Sequence, residues 1–140
     1  MDRKKVAKDL LLQGYNCAQA VAAAFADAGG YTFEQAIKLN IAGGTGFLHG
    51  GHLCGALTGM GFALGGIFGE TDADGKKRFR ERFEGLLKDF EKKFGNVNCC
   101  VLKPSAMSFE CPFASKEECA AKACLVYVLT CVDTVEQLLS

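Results

Sequence analysis

The chain has 140 residues, the usual size of one domain, and 49% of them are hydrophobic, which excludes a disordered chain. Sixteen Lys and Arg residues balance sixteen Asp and Glu residues, so no net charge attracts nucleic acid or an acidic membrane surface. Eight cysteines and seventeen glycines are the unusual part of the composition. We therefore predict a single cysteine-rich domain over residues 1–140.

The amino-terminal segment and the cysteine content together indicate the cellular compartment of the protein. Met1 to Lys8 is charged, and the short apolar run after it has no signal-type cleavage pattern, so we expect a cytoplasmic protein. The most apolar stretch, Leu53 to Phe68, is short and interrupted by glycines, which argues against membrane insertion. In a reducing compartment, metal binding or redox chemistry explains a high cysteine content better than a disulfide framework does.

Apolar residues recur at helical spacing along most of the chain, and no segment alternates as a strand does. The pattern predicts an all-α bundle of about five to six helices with a glycine-rich central segment. Capping residues and glycines set the boundaries. The predicted helices are Asp2–Gln13, the segment capped by Asn16 and ending near Ala28, the segment capped by Thr32 and reaching Ile41, Leu53–Phe68, Ala73–Phe94, and a last helix from Ser115 to the carboxyl end, with a short helical turn at Asn98–Leu102.

The glycines concentrate in residues 43–69, which hold eleven of the seventeen. Three of them, Gly51, Gly55 and Gly59, fall on one side of the predicted fourth helix. A glycine within a helix costs about 1 kcal/mol relative to alanine, so the close approach of another group must compensate for it. Tight packing of a neighbouring helix, a homodimer contact through this face, and a cofactor beside Gly55 and Gly59 each satisfy that requirement.

Three cysteines occur where a helix is predicted to begin. Cys17 follows the capping residue Asn16, Cys99 follows Asn98, and Cys54 follows the glycine-rich turn. The positive end of a helix dipole and its free N–H groups stabilise a thiolate, the form that binds metals and attacks disulfides. The competing interpretation is that each cysteine is a small buried hydrophobic residue.

Several common motifs are absent from the sequence. No Cys-x-x-Cys pair occurs, which excludes the usual zinc-finger and thioredoxin patterns and also attached c-type haem. The segment Gly43–Gly46 lacks the preceding strand and the Lys-Ser/Thr of a phosphate-binding loop, so no nucleotide is expected. His49 and His52 flank the turn before Cys54 and are candidate metal ligands, although a loop histidine is more often a surface residue.

Two motifs and the cysteines after them resemble a known family. Gly14–Val21 reads GYNCAQAV, and Cys54–Gly59 reads CGALTG after a glycine-rich loop. Together with cysteines that continue into a carboxyl-terminal helix, these segments resemble the C_GCAxxG_C_C family of redox-active proteins over nearly the whole chain. The resemblance implies a redox function.

The family has four characteristic cysteines, and the resemblance implies their positions in this chain. The third is placed at Cys99 because the family tends to have a leucine three residues later, where this chain has Leu102; Cys100 is the alternative. The fourth is placed at Cys124, in the predicted last helix, with Cys119 as the alternative. The full set is therefore Cys17, Cys54, Cys99 and Cys124.

Our leading hypothesis is that these four cysteines converge and bind an iron–sulfur cluster or a metal ion beside Gly55 and Gly59. The protein would then transfer electrons to a redox partner protein, as an oxidoreductase or as an accessory electron-transfer protein. The first alternative is a metal-free thiol–disulfide protein. The second is a structural or adaptor bundle that dimerises through the Gly51, Gly55 and Gly59 face and uses its cysteines as core residues.

Two further cysteines have less defined roles. Cys111, beside Pro112 in a predicted loop, is expected to be the most exposed thiol. Cys131 lies on the same helical face as Cys124 and either shares its site or packs beneath it.

Overall fold

The computed structural model describes residues 1–140 and is helical throughout, with two 3₁₀ turns, one isolated bridge and no β-strand. The all-α class is confirmed, but the number of helices is eight, so the predicted five to six is too few. The helices are α1 (Arg3–Leu12), α2 (Cys17–Ala24), α3 (Phe33–Leu39), α4 (Gly55–Phe68), α5 (Ala73–Phe94), α6 (Cys99–Ser105), α7 (Lys116–Ala121) and α8 (Leu125–Leu139).

Capping side chains start the helices where the sequence predicts. The Asn16 side chain accepts a hydrogen bond from the Gln19 N–H at 2.8 Å, and the Gln19 side chain accepts one from the Asn16 N–H at 2.9 Å. Thr32 caps α3 in the same reciprocal way. Because such caps satisfy N–H groups that have no partner inside the helix, they fix the first turn locally.

The extra helices lie in the last third of the chain. The predicted turn after Asn98 continues as α6, and the predicted last helix is divided into α7 and α8. The division falls at Lys122, whose backbone is extended at φ −140° and ψ 90°. No residue of α7 is buried, whereas more than half of α8 is buried, so the two segments occupy different surroundings and do not continue each other.

The core forms around α2 and α8. All of α2 after Cys17 is buried, and α8 contributes Leu125 to Leu129 together with Val132 and Val135. Helices α1 and α4 pack against these two. Tyr127 is fully buried and donates a 2.6 Å hydrogen bond from its hydroxyl to the Leu102 carbonyl, which ties α8 to α6.

Glycines of α4 allow that helix to approach α2 closely. A Cβ added at Gly59 would lie 2.6 Å from the Ala18 carbonyl oxygen, and one at Gly55 would lie 2.7 Å from the Gly43 carbonyl oxygen. Tight packing within the chain accounts for both glycines.

No helix of the protein is both long enough and apolar enough to cross a bilayer.

Candidate cysteine site

The four cysteines assigned from the resemblance line one cavity of about 530 Å³. They are separated by long stretches of sequence, so only the folded chain brings them to one place. The two alternatives, Cys100 and Cys119, do not line this cavity. The cavity is referred to below as the cysteine cavity, lined by Cys17, Cys54, Cys99 and Cys124.

Each of these cysteines stands at the start of a helix. Cys17 and Cys99 are the first residues of α2 and α6, and Cys54 and Cys124 are the residues immediately before α4 and α8. The first three positions follow from the sequence. The position of Cys124 does not follow from the sequence. No glycine, proline or capping side chain at Lys122 indicates that the helix breaks there.

Backbone hydrogen bonds hold Cys54 and Cys99 side by side. The Cys54 N–H donates to the Val97 carbonyl at 2.9 Å, and the Cys99 N–H donates to the His52 carbonyl at 2.6 Å. These bonds flank the isolated bridge between Leu53 and Asn98. The starts of α4 and α6 are therefore fixed relative to each other by the backbone.

The glycine-rich loop forms one wall of the cysteine cavity through Gly44, Thr45 and His49. Residues 45–49 all have positive φ, a conformation that is rare for residues other than glycine. Within this run Gly46 is required for space as well, because a Cβ there would lie 2.7 Å from the Cys99 Cβ. Strained backbone of this kind concentrates at functional sites.

Cys17 and Cys124 line the same cavity, and each affects the ionisation of the other. The pKa of Cys124 is lowered to about 7, first by a hydrogen bond with Cys17 and then by the positive charges of Lys103 and Lys122. The same hydrogen bond and burial raise the pKa of Cys17 well above its usual range. The two shifts describe one pair in which Cys17 keeps a proton and stabilises a thiolate on Cys124.

The other two thiols are held in the protonated form. Burial raises the pKa of Cys54 to about 12, although the N–H groups of Ala56 and Leu57 act in the opposite direction. Burial also raises the pKa of Cys99, with a further increase from Cys124. Helix starts were expected to favour thiolates at Cys17, Cys54 and Cys99, and that prediction is wrong. At Cys17 the hydrogen bond with Cys124 and burial outweigh the effect of the helix end, and at Cys54 and Cys99 burial does so.

Sequence reasoning did not identify the basic and aromatic residues of the site. Lys103, Lys122 and Tyr127 all line the cavity. Lys103 lies four residues after Cys99, one helical turn away, and this spacing is the signal that could have indicated it. His49 and Gly55 line the cavity, whereas His52 and Gly59 do not.

The predicted metal centre requires its ligands to approach a common point. No group of three or more His, Cys, Asp or Glu side chains in the structure is placed so that it could hold a metal ion. Four thiols have the right chemistry for a cluster or a tetrahedral ion, and here they line a cavity without converging on a single ion position.

The remaining cysteines differ in exposure. Cys100 is the exposed thiol, and Cys111 is half-buried, so the expectation that Cys111 is the most exposed is wrong: its loop packs against the core. Cys131 is 1% exposed within the core and does not line the cysteine cavity. It therefore packs beneath the site, and burial raises its pKa well above the usual range.

Comparison with known proteins identifies the family. The sequence model described as "Putative redox-active protein (C_GCAxxG_C_C)" matches residues 15–138. The chain belongs to the C_GCAxxG_C_C family. The matched residues of this C_GCAxxG_C_C protein include every cysteine of the cavity. No curated protein and no solved structure matches the chain significantly.

Proposed function

We propose that this C_GCAxxG_C_C protein exchanges thiols and disulfides through Cys17 and Cys124. The observation that carries the proposal is that Cys17 and Cys124 line one cavity, in which Cys17 keeps its proton while the pKa of Cys124 is lowered to about 7. About half of Cys124 is then a thiolate near neutral pH, which is close to the optimum for an attacking thiol.

In the first step the Cys124 thiolate attacks one sulfur of a disulfide in a small molecule or a redox partner protein. A bond forms between Cys124 and that sulfur, and the other sulfur leaves as a thiolate that takes a proton from water. Lys103 and Lys122, which line the cavity, favour the negatively charged sulfur before the attack.

In the second step Cys17 loses its proton to solvent and attacks the Cys124 sulfur. The Cys17–Cys124 disulfide forms, and the second substrate sulfur leaves as a thiol after protonation. Two electrons thus pass from the cysteine pair to the substrate disulfide. Ionisation of Cys17 is easier at this stage, because the thiolate that chiefly raised its pKa has become part of a mixed disulfide.

The experiment is to trap the intermediate with oxidised glutathione and single serine variants of the full chain. Cys17→Ser should retain one glutathione on Cys124, while Cys124→Ser should retain none on Cys17. Cys100→Ser is the control, because Cys100 is exposed and lies outside the cavity. A Cys17→Ser protein that never carries glutathione on Cys124, as measured by peptide mass spectrometry, would contradict the proposal.

A second candidate is the binding of an iron–sulfur cluster or a metal ion for electron transfer. It is favoured by one observation, that four cysteines line a single cavity of about 530 Å³. The candidate ligands Cys17, Cys54, Cys99 and Cys124 would have to turn from their present arrangement toward a common point.

The two candidates are separated by analysing iron, zinc and acid-labile sulfide in protein purified without air. Stoichiometric iron and sulfide with broad visible absorption would support the cluster, and stoichiometric zinc would support an ion site. The thiol–disulfide proposal predicts free thiols that are lost and regained with oxidant and reductant, and no bound metal. Cys100→Ser again serves as the control, because it leaves the cavity cysteines intact.

A further inference from the structure

A second pair of cysteines lies outside the cysteine cavity. Cys111, in the loop before α7, and Cys119, on α7, both line another cavity of about 830 Å³. Both side chains are half-buried and neither is in a disulfide. This second cavity has a largely apolar wall that includes Met107, Phe109, Ala114 and Val126.

The two thiols of this pair are close enough for one to affect the ionisation of the other. The pKa of Cys119 is raised, first by burial and then by Cys111, with which it also shares a hydrogen bond. Cys119 is therefore held in the protonated form, which makes it the thiol that follows and not the one that attacks first.

Packing does not explain why Cys119 is a cysteine. Helix α7 has no buried residue, and Cys119 is not part of the hydrophobic core. Cys131, in contrast, is 1% exposed and is a core residue. The segment around the pair is held to α1 instead, because Lys8 contacts the Glu118 carboxylate at 3.4 Å.

The two cavities are neighbours but have separate cysteines. Ala123 lines both of them, in the connection between α7 and α8. No cysteine is shared between the two linings. The arrangement thus contains two cysteine pairs, each at its own cavity, and both cavities border the connection that carries Cys124.

We propose that Cys111 and Cys119 form a second dithiol site, which is oxidised by exchange with a disulfide whose substituents are apolar or aromatic. The basis is their juxtaposition at an apolar cavity of about 830 Å³. The site does not depend on the chemistry proposed for Cys17 and Cys124.

The reaction has two balanced steps. Ionised Cys111 attacks one sulfur of the external disulfide, forms a mixed disulfide and releases the first thiol. Cys119 then loses its proton, attacks the Cys111 sulfur and releases the second thiol. The cysteine pair gives up two electrons and two protons, and the external disulfide becomes two thiols.

The test uses the reduced full chain carrying Cys100→Ser and Cys124→Ser, so that neither the exposed thiol nor the thiolate of the other cavity consumes the reagent. It is treated with one equivalent of 4,4′-dithiodipyridine, a neutral aromatic disulfide. Cleavage after lysine and glutamate places the two cysteines on separate peptides, CPFASK for Cys111 and CAAK for Cys119. We expect these peptides to be recovered joined by a disulfide, with two thiopyridones released per bond. Recovery of the two peptides unlinked, or each linked to other cysteines, would overturn the proposal.

Single variants test the order of attack and the independence of the site. Cys119→Ser should retain the pyridyl adduct on Cys111, and labelling of Cys119 in Cys111→Ser should be at least about threefold slower because its pKa is raised. Equal rates would overturn the assigned order.

Cys17→Ser should leave the Cys111–Cys119 link unchanged, so failure at either site is visible separately. Loss of the link in Cys17→Ser would overturn the independence of the two sites.

Discussion

Cys17, the first residue of α2, and Cys124, the residue before α8, line the same cavity although they come from distant parts of the chain. Hydrogen bonding to Cys17 is the main cause that lowers the pKa of Cys124 to about 7. A thiolate with a neighbouring thiol can attack a disulfide and then be released from the mixed disulfide. The geometry therefore contains both members of a dithiol reaction.

The reactivity of Cys124 should follow its ionisation. We expect the rate of alkylation by iodoacetamide to rise with pH and reach half its maximum near pH 7, where the thiolate forms. Cys17→Ala should move this midpoint upward, since the hydrogen bond with Cys17 is the largest cause of the low pKa. Labelling is measured on the tryptic peptide that begins at Ala123. Cys100→Ser should leave the profile unchanged, and a wild-type midpoint near 9.0, the usual thiol value, would contradict the assignment.

The two lysines of the cavity should also increase the reactivity of Cys124 near neutral pH. Lys103 and Lys122 both lower the pKa of Cys124 by their positive charge. Replacing both with glutamine should reduce the alkylation rate at pH 7 by roughly twofold in low salt, and the effect should shrink in high salt because exposed charges are screened. Lys76→Gln with Lys77→Gln, on α5, is the matched control because neither residue lines the cavity. An equal loss of rate in the control pair would show that the effect is one of net charge.

Burial of Cys54 should make the protein less stable in alkali. Its pKa rises from 9.0 to about 12 on folding, so between these values the unfolded chain binds fewer protons than the folded one. The free energy of unfolding should therefore fall as pH rises, by about 1.4 kcal/mol per pH unit from this group. Urea titrations at several pH values above 9 should show a shallower fall in Cys54→Ala. Cys100→Ser should keep the wild-type slope, and an unchanged slope in Cys54→Ala would contradict the burial of this thiol.

The α2–α4 contact can be tested with two glycines of the same helix. Gly59→Ala places a Cβ 2.6 Å from the Ala18 carbonyl oxygen and should destabilise the protein by about 2 kcal/mol. Gly65→Ala meets nothing within 4 Å and should stabilise it by up to about 1 kcal/mol, because alanine is the better helix residue. Both are measured as free energies of unfolding in urea. If the two variants are equally stable, close packing is not the reason for Gly59.

Local signals were sufficient for most of the secondary structure. The capping boxes of Asn16 and Thr32 identified the starts of α2 and α3, and the amphipathic pattern of α5 identified both of its ends. These features act within one or two turns of the chain, so they can be recognised without knowing the fold. The break at Lys122 could not be recognised from the sequence, because it arises where the buried helix α8 meets the exposed helix α7.

The sequence by itself determined the all-helical class, the helix starts that carry Cys17, Cys54 and Cys99, and, through the family resemblance, the four cysteines that line the cavity. Only the tertiary structure decided which of these cysteines affect each other's pKa. The pKa of a thiol depends on its burial and on the charges and hydrogen bonds around it, and these come from residues far away in the chain. For that reason the pKa of Cys124 is lowered to about 7, while that of Cys54 is raised to about 12 at an equally favourable helix start.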